Sequence, residues 1–193
     1  MTFDLNAVNP RLVEIWERTR KEWPNKIQPD IRPLKEIESD CGEDLPEDYK
    51  DFVRSCGYID LELGEFNACI VKYSVGQSIK RSWAWALDVS TSSFALNRYM
   101  FLSRPHMHYS HIGPRIPPKT VPIGTSSGGD DYYLIDLSEE KYGRIWFNGG
   151  NAVATWGTEG NTILGFVAPS FTAFLAGLMT KDEAEQKLAA ESP

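Results

Sequence analysis

The chain has few cysteines, no long apolar run and no excess of positive charge, and each shortage removes a class of function. Its three cysteines, Cys41, Cys56 and Cys69, are too dispersed for a disulfide framework and lack the CxxC spacing of a zinc or redox site. They read as reduced core residues. The longest apolar run, Trp83–Leu87, falls far short of the roughly 18 residues that cross a bilayer, so no membrane partner is expected. The N-terminus, MTFDLNAVNP, has an acid at Asp4 and neither a cationic start nor an apolar middle, so the expectation is a cytoplasmic chain without a secretory leader. Lys and Arg number 20 against 27 Asp and Glu, a net charge of −7. Such a balance argues against a nucleic-acid partner, because binding phosphate backbones needs cationic patches.

What is present is enough for one well-filled core. Of the 193 residues, 41% are apolar and 12% aromatic, and a chain of this size hides roughly 70% of its unfolded surface on folding. Residues 1–193 therefore read as a single domain. Acids are concentrated in one place: Glu36, Glu38, Asp40, Glu43, Asp44, Glu47, Asp48 and Asp51 share a 16-residue stretch with the single base Lys50.

Helical signals come first. Asn9 is a capping residue type, Pro10 suits a first helical position, and Leu12, Ile15, Trp16, Thr19 and Trp23 recur at helical spacing, which predicts a helix over about 9–24. A second is expected over Pro33–Cys41, ended by Gly42. A third opens at Pro46, carries Tyr49, Phe52, Val53 and Cys56 as its apolar stripe and ends at Gly57. The period then changes to two. Strands are expected at Ile59–Leu63 and Phe66–Tyr73, as a hairpin, and at Val121–Ile123, Tyr132–Leu137, Gly143–Phe147, Ala152–Trp156 and Ile163–Val167. Their close spacing favours antiparallel pairing. Pro169 and Ser170 start a helix with Phe171, Phe174, Leu175 and Leu178 on one stripe, and Thr180 with Glu183 forms a capping box for a short tail helix. The expected fold class is α+β, a central, mostly antiparallel sheet flanked by N-terminal and C-terminal helices. Residues 74–118 mix aromatics with Lys80, Arg81, Arg98, Arg104 and Arg115, end in the string PRIPPK, and could hold a short helix, strands or an excursion from the sheet.

The strings LPEDYKDFVRSCG at 45–57, GTSSGGDDYYLIDL at 124–137, GRIWF at 143–147 and APSFTAFLAGL at 168–178 resemble, in that order, the signatures of the SUKH superfamily. That is the family of fungal SMI/KNR-type cell-wall assembly regulators and of many bacterial immunity proteins. The resemblance covers about 30–73 and 119–180, and against it the N-terminal helix at 9–24 is a departure and 74–118 an atypical insertion. It implies an α+β domain that acts by binding, as a stoichiometric inhibitor of a secreted toxin, often a nuclease, or as a regulator or scaffold. It carries over no catalytic residue. The shared positions are packing and turn residues: Leu45, Pro46, Tyr49, Phe52, Gly129, Asp136, Ser170, Phe171, Phe174 and Leu175.

Three motifs suggest chemistry and are set against plainer readings. Residues 124–128 match GxSxG, but a strand follows where the nucleophile elbow needs a helix, and all three histidines precede Ser126, so a turn is the reading. His106, His108 and His111 have metal-like spacing, but Arg104 and Arg115 disfavour a cation, and loop or surface histidines are expected. Asp130 and Asp131 point to opposite faces of any strand and read as turn residues. No catalytic residue, cofactor or metal is expected. The acidic cluster has two readings, a solvated helical face or a partner-facing one. Glu36 with Asp40, and Glu47 with Asp51, lie four residues apart, and each like-charge pair costs about 0.2 to 0.5 kcal/mol. A basic partner would offset that cost. Glu36, Asp40, Glu43, Glu47 and Asp51 are therefore the expected partner-binding residues, and a basic toxin domain the expected partner.

Overall fold

The structure, a computed structural model, describes residues 2–27, 29–109, 111–126, 131–149 and 154–191. In chain order it runs α1 (Leu5–Val8), α2 (Arg11–Glu22), α3 (Arg32–Cys41), α4 (Glu47–Ser55), β1 (Ile59–Asp60), β2 (Ala68–Val75), β3 (Ser78–Trp85), β4 (Asp88–Val89), α5 (Ser92–Leu102), β5 (Thr120–Thr125), β6 (Tyr132–Asp136), β7 (Ile145–Asn148), β8 (Gly165–Ala168), α6 (Phe171–Ala176) and α7 (Lys181–Ala190). Six strands form one sheet in the order β3-β2-β8-β7-β6-β5, every neighbouring pair antiparallel, and β1 pairs separately with β4. The fold is α+β.

The helices form where their stripes require. Leu12 and Ile15 of α2, Leu34 and Ile37 of α3, and Tyr49, Phe52 and Val53 of α4 are buried together with Phe171, Phe174 and Leu175 of α6. Phe171 stands at the centre, its ring 5.1 Å from Tyr49 and 5.2 Å from Phe52. Asn9 is not a simple cap. Its Oδ1 accepts from the Arg11 N–H at 3.3 Å, while its buried amide donates to the Leu175 and Leu178 carbonyls at 3.0 and 3.3 Å, fastening the N-terminus to α6. Gly42 and Gly57 close α3 and α4 at φ of 74° and 71°, in the left-handed region that glycine occupies without strain.

Strand alternation buries β6 on both faces. In β6, Tyr133 and Ile135 belong to the main core, whereas Tyr132 and Leu134 pack with Leu102 and Ile116 in a second, smaller one, bordered by Trp146 and Leu164. Residues 74–118 therefore have a structural role: they supply β3, β4 and α5 and then cover the second face of the sheet.

Several expected boundaries and pairings change. Ile59–Leu63 is not a full strand, because Asp60 accepts from the Glu62 N–H and Leu61–Leu63 turns as a 3-10 helix. Its partner is β4; the hairpin is instead β2 with β3, joined by Gly76 and Gln77 with Gly76 at φ 60°. Of the expected strand Ala152–Trp156, Ala152 and Val153 lie outside the described residues, and Ala154–Trp156 is not a strand. The Trp156 N–H donates to the Pro114 carbonyl at 2.7 Å, so this segment is drawn onto the 112–118 excursion.

Candidate partner-binding surface

The acidic stretch folds into α3, α4 and the turn between them, and most of its carboxylates meet bases of the same chain. Lys50 of α4 bridges Glu38 at 3.0 Å and Glu47 at 2.7 Å. Its side chain is only 13% exposed and that of Glu38 only 17%, so this link is shielded from solvent. Burial works against the Lys50 ammonium, but bonds to Glu47 and Glu38 outweigh it and raise its pKa. Arg54 spans Asp51 at 2.7 Å and Glu47 at 3.2 Å, which neutralises the expected like-charge pair on α4. Lys50 and then Arg54 hold the Glu47 carboxyl below its ordinary value. On α3, Asp40 accepts from Arg104 at 2.7 Å and from the Tyr99 hydroxyl at 3.1 Å. Burial first, and that bond to a carboxylate second, push Tyr99 up to about 12. Glu43 pairs with Lys119 at 2.5 Å.

Of the five expected site residues, then, Asp40, Glu43, Glu47 and Asp51 are each ion-paired within the chain. The like-charge cost is met internally. Among the described residues Glu36 and Asp44 carry no ion pair, and both are exposed. Asp48 is spent elsewhere, accepting from the backbone N–H and hydroxyl of Thr172 at 2.9 and 3.0 Å.

The structure also brings together a feature the sequence did not disclose. Asp40 and Cys41 at the end of α3, Tyr99 and Arg104 from α5 and beyond, the ledge Pro114 to Thr120, and Trp156 enclose a groove of about 530 Å³. A second depression of about 480 Å³ shares Pro117, Pro118, Thr120 and Trp156 with it and continues over Trp146 and Leu164. The Asp40–Arg104 and Glu43–Lys119 pairs stand beside this groove, so charge and apolar surface are adjacent. PRIPPK was visible as a string. Its place beside the end of α3 depends on contacts more than 60 residues apart in sequence, such as Lys119 with Glu43.

The motifs with chemical potential take other positions. His106 uses Nδ1 to accept from the backbone N–H groups of His108 and Tyr109, and its ring lies 6.1 Å from that of His108. Partial desolvation, then nearby Arg115, lower the His106 pKa. Among the described residues no group of three or more His, Cys, Asp or Glu side chains could hold a metal ion. Ser126 is buried at the end of β5; Ser127, Gly128, Gly129 and Asp130 lie outside the described residues. No described helix is long and apolar enough to cross a membrane.

The described positions named by the resemblance are built into this frame, Gly129 lying outside the described residues. Leu45, Tyr49, Phe52, Phe171, Phe174 and Leu175 are core residues, Ser170 caps α6 through the Ala173 N–H, and Asp136 accepts from Ser138 and from the Trp146 indole at 3.0 Å. No curated protein matches the chain. A family model described as SMI1 / KNR4 family (SUKH-1) matches residues 29–177, a span that runs from α3 through the sheet to α6 and across residues 74–118. With that match covering most of its length, the chain belongs to the SMI1 / KNR4 (SUKH-1) family.

Proposed function

We propose that this protein works without catalysis, in the cytoplasm, by binding and occluding a basic toxin domain. The observation that supports this most is the adjacency of the α3–α4 carboxylates to the groove formed by Tyr99, Pro117, Pro118 and Trp156. Each half supplies what the other lacks. Negative potential raises encounter rates with a basic partner, to about 10⁸ M⁻¹s⁻¹ at low salt, while an apolar groove retains it; a specific interface buries on the order of 1,600 Å². Glu36 and Asp44 present free charge, and Asp40, Glu43, Glu47 and Asp51 exchange internal bases for those of the partner. A nuclease toxin, itself cationic in order to hold phosphate, fits this description.

The alternative within the same family is a regulator or scaffold using the same surface on a resident protein. The experiment co-expresses the chain with basic toxin domains, beginning with any encoded beside its gene, and follows growth and association rate across ionic strength. We expect rescue from one toxin, with the Glu36→Lys, Asp44→Lys double variant slowing association about tenfold or more at low salt and flattening its salt dependence. Unchanged rates remove the steering role. Failure to rescue from any toxin, with a resident protein held at the groove, favours the regulator.

A further inference from the structure

The six-stranded sheet is closed at one edge and open at the other. Beyond β5, the Leu87 and Ser90 N–H groups donate to the Thr125 and Ile123 carbonyls, both at 2.9 Å, so that edge is covered by the chain around β4. On the other side β3 ends the sheet, with no strand beyond it among the described residues. Among the described residues, no backbone group from Ser78 to Trp83 bonds outward. Which groups point outward follows from the ladder. The Ala86 N–H donates to the Asn67 carbonyl at 2.7 Å, and Ala68 bonds the other way, to Met179. Alternation then turns Lys80, Ser82 and Ala84 toward β2 and leaves Ile79, Arg81 and Trp83 with N–H and C=O directed away from the sheet.

Exposed edges are normally blunted by proline, by bulges, by brevity, by charged side chains or by a covering helix. β3 has eight residues, an unbroken register with β2 and no proline, and Ile79 is 66% exposed; of its two charges, Lys80 and Arg81, the second is compensated by Glu191 of α7 at 2.6 Å. Its sequence, SIKRSWAW, is basic in its first half and aromatic in its second.

We propose that this edge pairs with β3 of a second copy of the chain, antiparallel about Ser82, joining two six-stranded sheets into one. In an antiparallel pair outward groups meet only outward groups, so the dyad falls on a single residue. A dyad at Lys80 or Arg81 sets like charges directly opposite each other, which is destabilising. A dyad nearer the hairpin, or at Trp83, shortens the overlap; the Trp85 carbonyl already accepts from the Tyr133 hydroxyl at 2.7 Å. The dyad at Ser82 places Arg81 against the partner's Trp83, Lys80 against the partner's Ala84 and Ile79 against the partner's Trp85. Cation meets indole twice, and no like charges face each other. Trp83 already attracts one cation within its own chain, Lys181 at 5.6 Å. Because α3 packs on α5 and α5 on β5, that acidic helix lies toward the other edge, away from the pairing at β3. The proposal is independent of what the groove binds.

Sedimentation of the full chain over a concentration series tests it. We expect a reversible dimer. Arg81→Pro removes an outward N–H while sparing the bonds to β2, and Ile79→Lys keeps the backbone and changes only an exposed side chain. Each is expected to raise the dissociation constant about tenfold or more, with the near-ultraviolet circular dichroism of the native chain as the check on folding. Register is read by disulfide formation. Across the dyad the two Ser82 Cα atoms lie about 4.5 Å apart, within disulfide reach, so Ser82→Cys gives a linked dimer on mild oxidation and Lys80→Cys does not. A monomer at every concentration, a dimer indifferent to both edge variants, or equal cross-linking of the two cysteine variants overturns the proposal. So does a monomer that instead binds a glutamate-rich strand peptide at this edge.

Discussion

Asp88 shows how one residue can be set by distant neighbours. Its Oδ1 accepts from the Thr125 N–H at 2.8 Å and the Thr125 hydroxyl at 2.9 Å, and Ser90 adds a hydroxyl at 3.3 Å. Burial nevertheless pushes its pKa up, the bonds from Thr125 and Ser90 only partly opposing this. A carboxyl with a raised folded-state pKa binds its proton more tightly in the folded protein, so its contribution to stability falls as pH rises. Asp88→Asn keeps an oxygen for Thr125 and loses the charge. The stability of this variant relative to the native chain is therefore expected to grow as pH rises from about 3.8 and to level off above the raised pKa. Urea unfolding at a series of pH values measures it, and a flat difference refutes the assignment. In the sequence Asp88 is only the lone acid of a basic stretch, because the residue that holds it lies 37 positions away.

At the scale of elements, α4 and α6 are coupled by a cap supplied from outside the helix it serves. Ser170 caps α6 from its own chain position, accepting from the Ala173 N–H at 3.1 Å, and Asp48 of α4 accepts from the next free N–H, that of Thr172. Asp48→Ala is expected to cost about 1 to 2 kcal/mol in urea unfolding, the range for a lost cap with a second bond, against a smaller loss for Asp48→Asn. Helices were the most readable elements. Their stripes repeat within a few residues, so α2, α3, α4 and α6 could be placed from the runs that begin at Leu12, Leu34, Tyr49 and Phe171. Strand pairing was less readable. The Ile59–Leu63 stretch alternates as a strand does, but period two identifies a half-buried strand and not its partner, and a pairing between β1 and β4 needs the fold around it.

For the whole molecule, the helices that precede the family-matched span complete the core. Leu5, Leu12 and Ile15 are buried with α3, α4 and α6, and Arg11 pairs with Glu183 of α7 at 2.9 Å. Removing residues 1–28 leaves the matched residues 29–177 intact and is expected to lower unfolding free energy by about 3 kcal/mol or more, since several buried apolar side chains lose their cover. An unchanged urea midpoint would refute this. Hydrophobic period, caps and acid count were properties of the sequence alone: they determined the α+β class, the helix faces, the family resemblance through LPEDY and SFTAFL, and the local excess of carboxylates. Tertiary structure decided which carboxylates were compensated, because Arg104 and Lys119 reach Asp40 and Glu43 only after the chain has folded back, and a charge count carries no information about such meetings. It also decided that PRIPPK becomes a groove wall and SIKRSWAW an open edge, since exposure is a property of what lies beside a segment in space.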